Sequence, residues 1–371
     1  VGFEMNYRPE GKLSPTAKRQ QRADLQASQS RLMLDLVGLG ASEKRRFRSI
    51  PFMALRVNER ALQALVNNPR VKSIEPDRLS RPMMDSSNPV IGSPLAWAEG
   101  WDGSGYATAV LDTGVDSTHP WLTGKIVSEA CYSTSEDGVS ESLCPEGASS
   151  STAAGSGLHC SGVSGCDHGT HVAGTVAGND GVGPGFGVAR DADVIAMQVF
   201  TKFLNDAQCG AGESPCVLTY SSDQIAALER VLELSASMDI ASVNMSLGGG
   251  QYFDQATCDT ENSAQKAAID ALLSEGIATV ISSGNDGNRD SVGAPGCIST
   301  AVTVGATTDD DFVASFSNVA DFVDLLAPGV SIVSSIPGGG TDSFQGTSMA
   351  APHVAGAFSV LREYTPNAPV G

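Results

Sequence analysis

Five short apolar runs constrain this chain more than any other feature: residues 107–111 (ATAVL), 193–200 (DVIAMQVF), 240–245 (IASVNM), 278–282 (ATVIS) and 301–304 (AVTV). Between them, residues 221–235 and 264–275 carry apolar side chains at helical spacing. A strand that is apolar throughout has no wet face, so it must be covered on both sides. The alternation therefore predicts an α/β fold, a mostly parallel sheet with helices on both faces.

Residues 1–84 read differently. Residues 1–7 look like part of a strand, and 16–37 have helical spacing that stops at Gly38. Residues 47–57 (FRSIPFMALRV) have strand character, Asn58 can cap a short helix through Asn67, and 71–74 start another strand. That order predicts a small α+β (ferredoxin-like) domain ahead of the larger one, 85–371. Pro76 and then residues 81–94, rich in Ser, Asn and Pro, read as an exposed linker.

Charge divides the chain at the same place. Residues 1–84 hold 16 Lys/Arg against 8 Asp/Glu, whereas 85–371 hold 7 against 34. A basic segment often signals nucleic acid, but here the same chain supplies an acidic partner, so neither nucleic acid nor a membrane is expected. The two parts are expected to attract one another, less strongly in salt. No apolar run is long enough for a membrane-spanning helix. The opening Val1-Gly2-Phe3-Glu4, with neither Met nor an apolar targeting core, reads as a processed or truncated start.

All eight Cys fall in the acidic part, mostly in Gly/Ser-rich insertions, which favours disulfides and an oxidising compartment. Zinc is the competing reading, because Cys160, Cys166, His168 and His171 lie close together. The Cys pair lacks the short gap of a zinc knuckle, and both His have a better use. Cys209–Cys216 and Cys258–Cys297 are candidate disulfides; spacing leaves the pairing open.

Three segments carry chemistry: Asp112-Thr113-Gly114 after a strand, His168-Gly169-Thr170-His171 opening a helix, and Gly346-Thr347-Ser348-Met349 opening another. At the carboxyl edge of a parallel sheet these ends converge, offering a carboxylate, a base and a nucleophile. Ser348 at a helix start would find a dipole that favours an oxyanion. Asn285, in the turn Ser282-Ser283-Gly284-Asn285, can donate to the same oxyanion. Ser246-Leu247-Gly248-Gly249 follows another strand, and its small residues leave backbone free to pair with a peptide. His171 is expected to be structural. A single DTG does not make an aspartic protease, which needs two such carboxylates, and Gly-Thr-Ser-Met-Ala is not the Gly-x-Ser-x-Gly of α/β-hydrolases. An inactive binding scaffold would have no need of all four groups.

DTG, HGTHVAG, SLGG, SGN and GTSMAAPHVAG, in this order over roughly residues 91–361, resemble the subtilisin-like serine proteases. Residues 1–84, most clearly 66–77 (VNNPRVKSIEPD), are similar to that family's inhibitory prodomain. The resemblance implies that Asp112, His168 and Ser348 form the triad and Asn285 is the oxyanion donor. It also implies that Ser246, Leu247 and Gly248 line the substrate strand and its side-chain pocket. Gly249, Ser283 and Gly284 are further candidates for binding substrate. The expected protein is a secreted, monomeric, self-processing endopeptidase acting on proteins and peptides, held by its own prodomain until cleavage within 80–88, after Met84. No cofactor is expected for catalysis.

Three departures stand out. Family members often hold structural calcium with an Asp after a His-Pro pair. Here Trp121 follows His119-Pro120 and the loop 178–187 keeps only Asn179 and Asp180, so that site is not expected, while calcium elsewhere on the acidic surface stays open. Residues 132–167 and 202–220 are long Cys-bearing insertions expected near the cleft. The chain stops at Gly371, soon after Ser348, where the family continues with another helix and strands, so a C-terminally short domain is expected.

Overall fold

The computed structural model describes residues 1–8, 13–47, 50–74, 87–183 and 185–370. The chain divides into two compact units, Val1–Arg81 and Pro82–Gly371. Pro76, Met84 and the rest of residues 75–86, including much of the expected cleavage window, lie outside the described residues.

The first unit contains β1 (Gly2–Phe3), α1 (Pro15–Asp35), β2 (Ala41–Arg46), β3 (Met53–Val57), α2 (Glu59–Val66) and β4 (Val71–Ser73). α1 starts where Ser14 accepts the Ala17 N–H, with Pro15 pre-set for the first turn, and Asn58 caps α2 through the Ala61 N–H. β1 pairs with β4 and β2 with β3, all antiparallel. Phe3, Leu25, Leu32, Leu36, Met53 and Leu65 form the core. The strand expected over 47–57 is shorter, and its partner β2 (ASEKRR) gave no apolar alternation to reveal it.

The second unit opens with α3 (Ser87–Ile91) and α4 (Ser93–Ala98). This corrects the linker reading for 87–94. Ser87 and Asn88 are buried, the Ser87 hydroxyl donating to His353 Nε2 at 2.9 Å and Asn88 Nδ2 to the Phe186 carbonyl at 2.7 Å. Tertiary partners have turned polar linker residues into anchors.

Then come β5 (Ala107–Asp112), β6 (Ile126–Tyr132), β7 (Ser140–Ser142), β8 (Ser150–Ser151), α5 (His168–Ala177), β9 (Asp193–Gln198), β10 (Thr201–Phe203), α6 (Asp206–Cys209), β11 (Cys216–Leu218) and α7 (Ser221–Ser235). β12 (Ile240–Met245), β13 (Gly249–Tyr252), α8 (Gln255–Glu261), α9 (Ser263–Ser274), β14 (Ala278–Ser282), β15 (Val292–Ala294) and β16 (Val302–Thr307) follow. β17 (Leu325–Pro328), β18 (Ile332–Ile336), β19 (Gly340–Phe344) and α10 (Thr347–Tyr364) complete the unit.

The main sheet runs β17-β16-β14-β12-β5-β9-β6-β8, parallel except for the β6–β8 pair. Within β5, Ala109 and Leu111 pack with α7 and α9 on one face, while Val110 packs with α5 and α10 on the other. Two helical layers therefore cover one apolar sheet, as the uninterrupted apolar runs require. Among the described residues, no helix is long and apolar enough to cross a membrane.

Four disulfides join Cys131–Cys144, Cys160–Cys166, Cys209–Cys216 and Cys258–Cys297. Both candidate pairs are formed, and the zinc alternative falls because its two Cys are bonded to each other.

Candidate active site

Asp112 ends β5 and His168 begins α5, so the strand end and the helix start must come close. Gly169 allows it, since a Cβ there would strike the Gly114 carbonyl and sit 3.1 Å from Asp112 Oδ1. Gly114 itself has φ +86°, a turn that only glycine adopts freely, with the 158–159 backbone lying against it. His168 Nδ1 lies 2.8 Å from Asp112 Oδ1, which also accepts the Thr113 N–H at 2.7 Å. Asp112 is fully buried, while the His168 side chain is 25% exposed.

A carboxylate can only accept, so Nδ1 carries the proton and Nε2 keeps its lone pair. Burial pulls the His168 pKa down, but the charge and hydrogen bond of Asp112, helped by Asp167, outweigh it and leave the pKa raised.

Ser348 lies in the first turn of α10, where backbone N–H groups lack intrahelical acceptors. Asn285 follows the end of β14. Its Oδ1 accepts the Thr347 N–H at 2.8 Å and the Thr347 hydroxyl at 3.0 Å, which turns the amide N–H₂ the other way. His168, Ser348 and Asn285 line one cleft of about 1060 Å³. Ser246, Leu247, Gly248, Gly249 and Gly284 line it too.

Ser283 is the exception. It is fully buried, its hydroxyl donates to the Asn318 carbonyl at 2.8 Å and its N–H to Val304 O, and it does not line the cleft. Alternation along an extended segment turns it inward, away from its neighbour Gly284.

Both insertions reach the cleft, through Gly165 from the first and Val217, Leu218 and Thr219 from the second. Sequence reasoning missed Thr347, the residue that orients Asn285. Its place between Gly346 and Ser348 was the available signal.

The described chain matches the family model described as the Subtilase family over residues 103–370. The protein belongs to the subtilase family. Subtilisin NAT of Bacillus subtilis subsp. natto is 30% identical over 329 residues, covering 87% of this chain and 73% of that protein. Subtilisin of Bacillus pumilus is 32% identical, covering 73% and 82%. The solved structure titled S41 Psychrophilic Protease superposes with a TM-score of 0.54 at 28% identity, covering 72% of this chain and 80% of that one. This subtilase is a serine endopeptidase acting on protein or peptide substrates, and the family needs no cofactor for the reaction.

In the loop 178–187, where the usual calcium site is not expected, the two remaining candidate side chains bond to backbone. Asp180 Oδ1 accepts the Val182 and Gly183 N–H groups, its Oδ2 accepts that of Gly185, and Asn179 Oδ1 accepts that of Gly181. These two side chains alone supply fewer than the six to eight oxygens that calcium takes. Among the described residues, no group of three or more His, Cys, Asp or Glu could hold a metal ion.

Two further histidines are kept neutral. His171 stacks on Phe344 with centroids 4.3 Å apart and donates from Nε2 to the Ile332 and Asp342 carbonyls. Burial first, then neighbouring His168, pushes its pKa down to about 4. His353 donates from Nδ1 to the Met349 carbonyl, and burial pushes it down to about 4 as well.

Unfolded imidazoles titrate near 6.5, so below that pH the unfolded chain takes up protons that the folded one refuses. Stability should therefore fall as pH drops from about 6.5 toward 4, the two depressed rings outweighing His168, whose raised pKa acts the other way. Thermal unfolding across that window checks this, and an unchanged melting temperature would refute it.

Proposed function

We propose that Asp112, His168 and Ser348 are the catalytic triad of this endopeptidase and that Asn285 donates to its oxyanion. One observation carries the reading: His168, bonded to the buried Asp112, lines the cleft that also holds Ser348 and Asn285. An extended peptide pairs with the backbone of Ser246–Gly249 and Gly284. The Ser348 hydroxyl attacks the scissile carbonyl as His168 Nε2 takes its proton, and Asp112 stabilises the imidazolium. The oxyanion meets the Asn285 amide and the N-terminal end of α10. His168 then returns the proton to the leaving amine, and water, activated by the same ring, releases the acyl group from Ser348.

Residues 1–84 act in this reading as an inhibitory prodomain, supported by the charge contrast with 85–371 and by the division into two compact units. Self-cleavage within 80–88 frees the enzyme, and the buried places of Ser87 and Asn88 favour a site upstream of them, such as Met84. Four disulfides support secretion, with the enzyme acting as a monomer. One relative, from Paenibacillus polymyxa, is named an intracellular serine protease, so family membership alone does not decide the compartment.

The test is the intact mass of the full chain followed over hours, together with labelling by a fluorophosphonate. The expected result is a split close to residue 84 and a single label on Ser348. A folded chain that neither splits nor takes the label would overturn the assignment.

A further inference from the structure

Pro352 lies one turn beyond Ser348 in α10. Proline has no N–H, so the carbonyl four residues earlier, that of Ser348, receives no helix hydrogen bond from it. A donor from another element serves instead: the Ser246 hydroxyl, just past β12, reaches the Ser348 carbonyl at 2.7 Å. Ser246 is 3% exposed, and its oxygen accepts Asn244 Nδ2 at 3.0 Å. With an amide donating to that oxygen, the single hydroxyl proton is left for the Ser348 carbonyl. In return, the Ser348 hydroxyl donates to the Ser246 carbonyl at 3.4 Å.

We infer that Ser246 is a positioning residue for the nucleophile, beyond its place on the substrate strand. The relay from Asn244 through Ser246 to the Ser348 carbonyl fixes the first turn of α10 and so the angle from which the Ser348 hydroxyl meets its substrate. Pro352 makes the outside donor necessary. The inference rests on Ser348 being the nucleophile. A substrate contact alone would act on KM, whereas positioning acts on kcat.

The experiment is a four-member cycle on the full chain, from which the mature enzyme is released: parent, Ser246→Ala, Pro352→Ala and the double variant. Each is assayed for kcat and KM on a peptide amide and for melting temperature. Ser246→Ala should lower kcat on the order of 10- to 100-fold while KM stays within about twofold. Pro352→Ala supplies an N–H for the Ser348 carbonyl, so the double variant should recover most of the lost kcat. Ser246→Thr, which keeps the hydroxyl, should also retain kcat. Should Ser246→Ala fail to fold, recovery of a folded, active chain by the double variant supports the same conclusion.

A double variant no better than Ser246→Ala, or a loss confined to KM, would overturn the role. A parent that does not label at Ser348 overturns the protease assignment itself, a separate failure.

Discussion

Ser348→Ala is expected to lower kcat for peptide hydrolysis roughly a million-fold, the scale that subtilisin itself is known to show on losing its serine nucleophile. Only the hydroxyl disappears. The bond from Ser246 goes to the Ser348 backbone carbonyl and survives the change, and the hydroxyl's own contact at 3.4 Å is long. Met349 and Ala350, the next residues of α10, stay buried in the core, so the variant should fold with KM little changed. It should also remain unsplit. What activity is left comes from Asn285 and the helix dipole, which act on the oxyanion whichever nucleophile attacks. Peptide assays on folded variant and parent decide the matter, and a variant within a hundred-fold of the parent would exclude Ser348 as the nucleophile.

Asp112→Ala should cost on the order of 10⁴ in kcat, as is known for the equivalent loss in subtilisin itself. The substitution should also move the pH profile, with a sign that follows from the site. His168 must be unprotonated to take the Ser348 proton, so activity falls as pH drops through its pKa. In the parent Asp112 raises that pKa, placing the acid limb above the ordinary imidazole value of 6.5. Without the carboxylate, burial is the main influence left, and the limb moves to lower pH.

Asp112→Asn separates charge from orientation. The Thr113 N–H, 2.7 Å from Oδ1, selects the amide oxygen for the side facing His168, so the Nδ1–H tautomer is kept while the charge is lost. Its kcat should fall between those of the parent and Asp112→Ala. Profiles of kcat/KM against pH for the three proteins test this, and a limb that does not move would remove Asp112 from the role assigned to it.

The bodies of the central strands were legible because an apolar run buried on both faces has few other folds open to it. Residues 107–111, 240–245 and 278–282 fall within β5, β12 and β14. The chemistry was legible for a related reason: the ends of parallel strands and the starts of helices converge at one sheet edge, so Asp112, His168, Ser348 and Asn285 could be named from position and residue type.

The misreadings share a different cause. β2 is ASEKRR and β8 only two residues, so neither carries an apolar signal. The segment 87–94 has a polar composition that suits a linker, until His353 and the Phe186 carbonyl come within reach.

By itself, then, the sequence determined the fold class, the residues proposed to perform acyl transfer and the concentration of cysteines in one part of the chain. Local periodicity and side-chain chemistry suffice for these. Only the tertiary structure decided that Ser283 turns inward, that Thr347 orients Asn285, that Ser246 braces Ser348 and how all eight cysteines pair. The hydrogen bonds among these join donors and acceptors far apart in the chain, and the strand order of the sheet is what brings them within bonding distance.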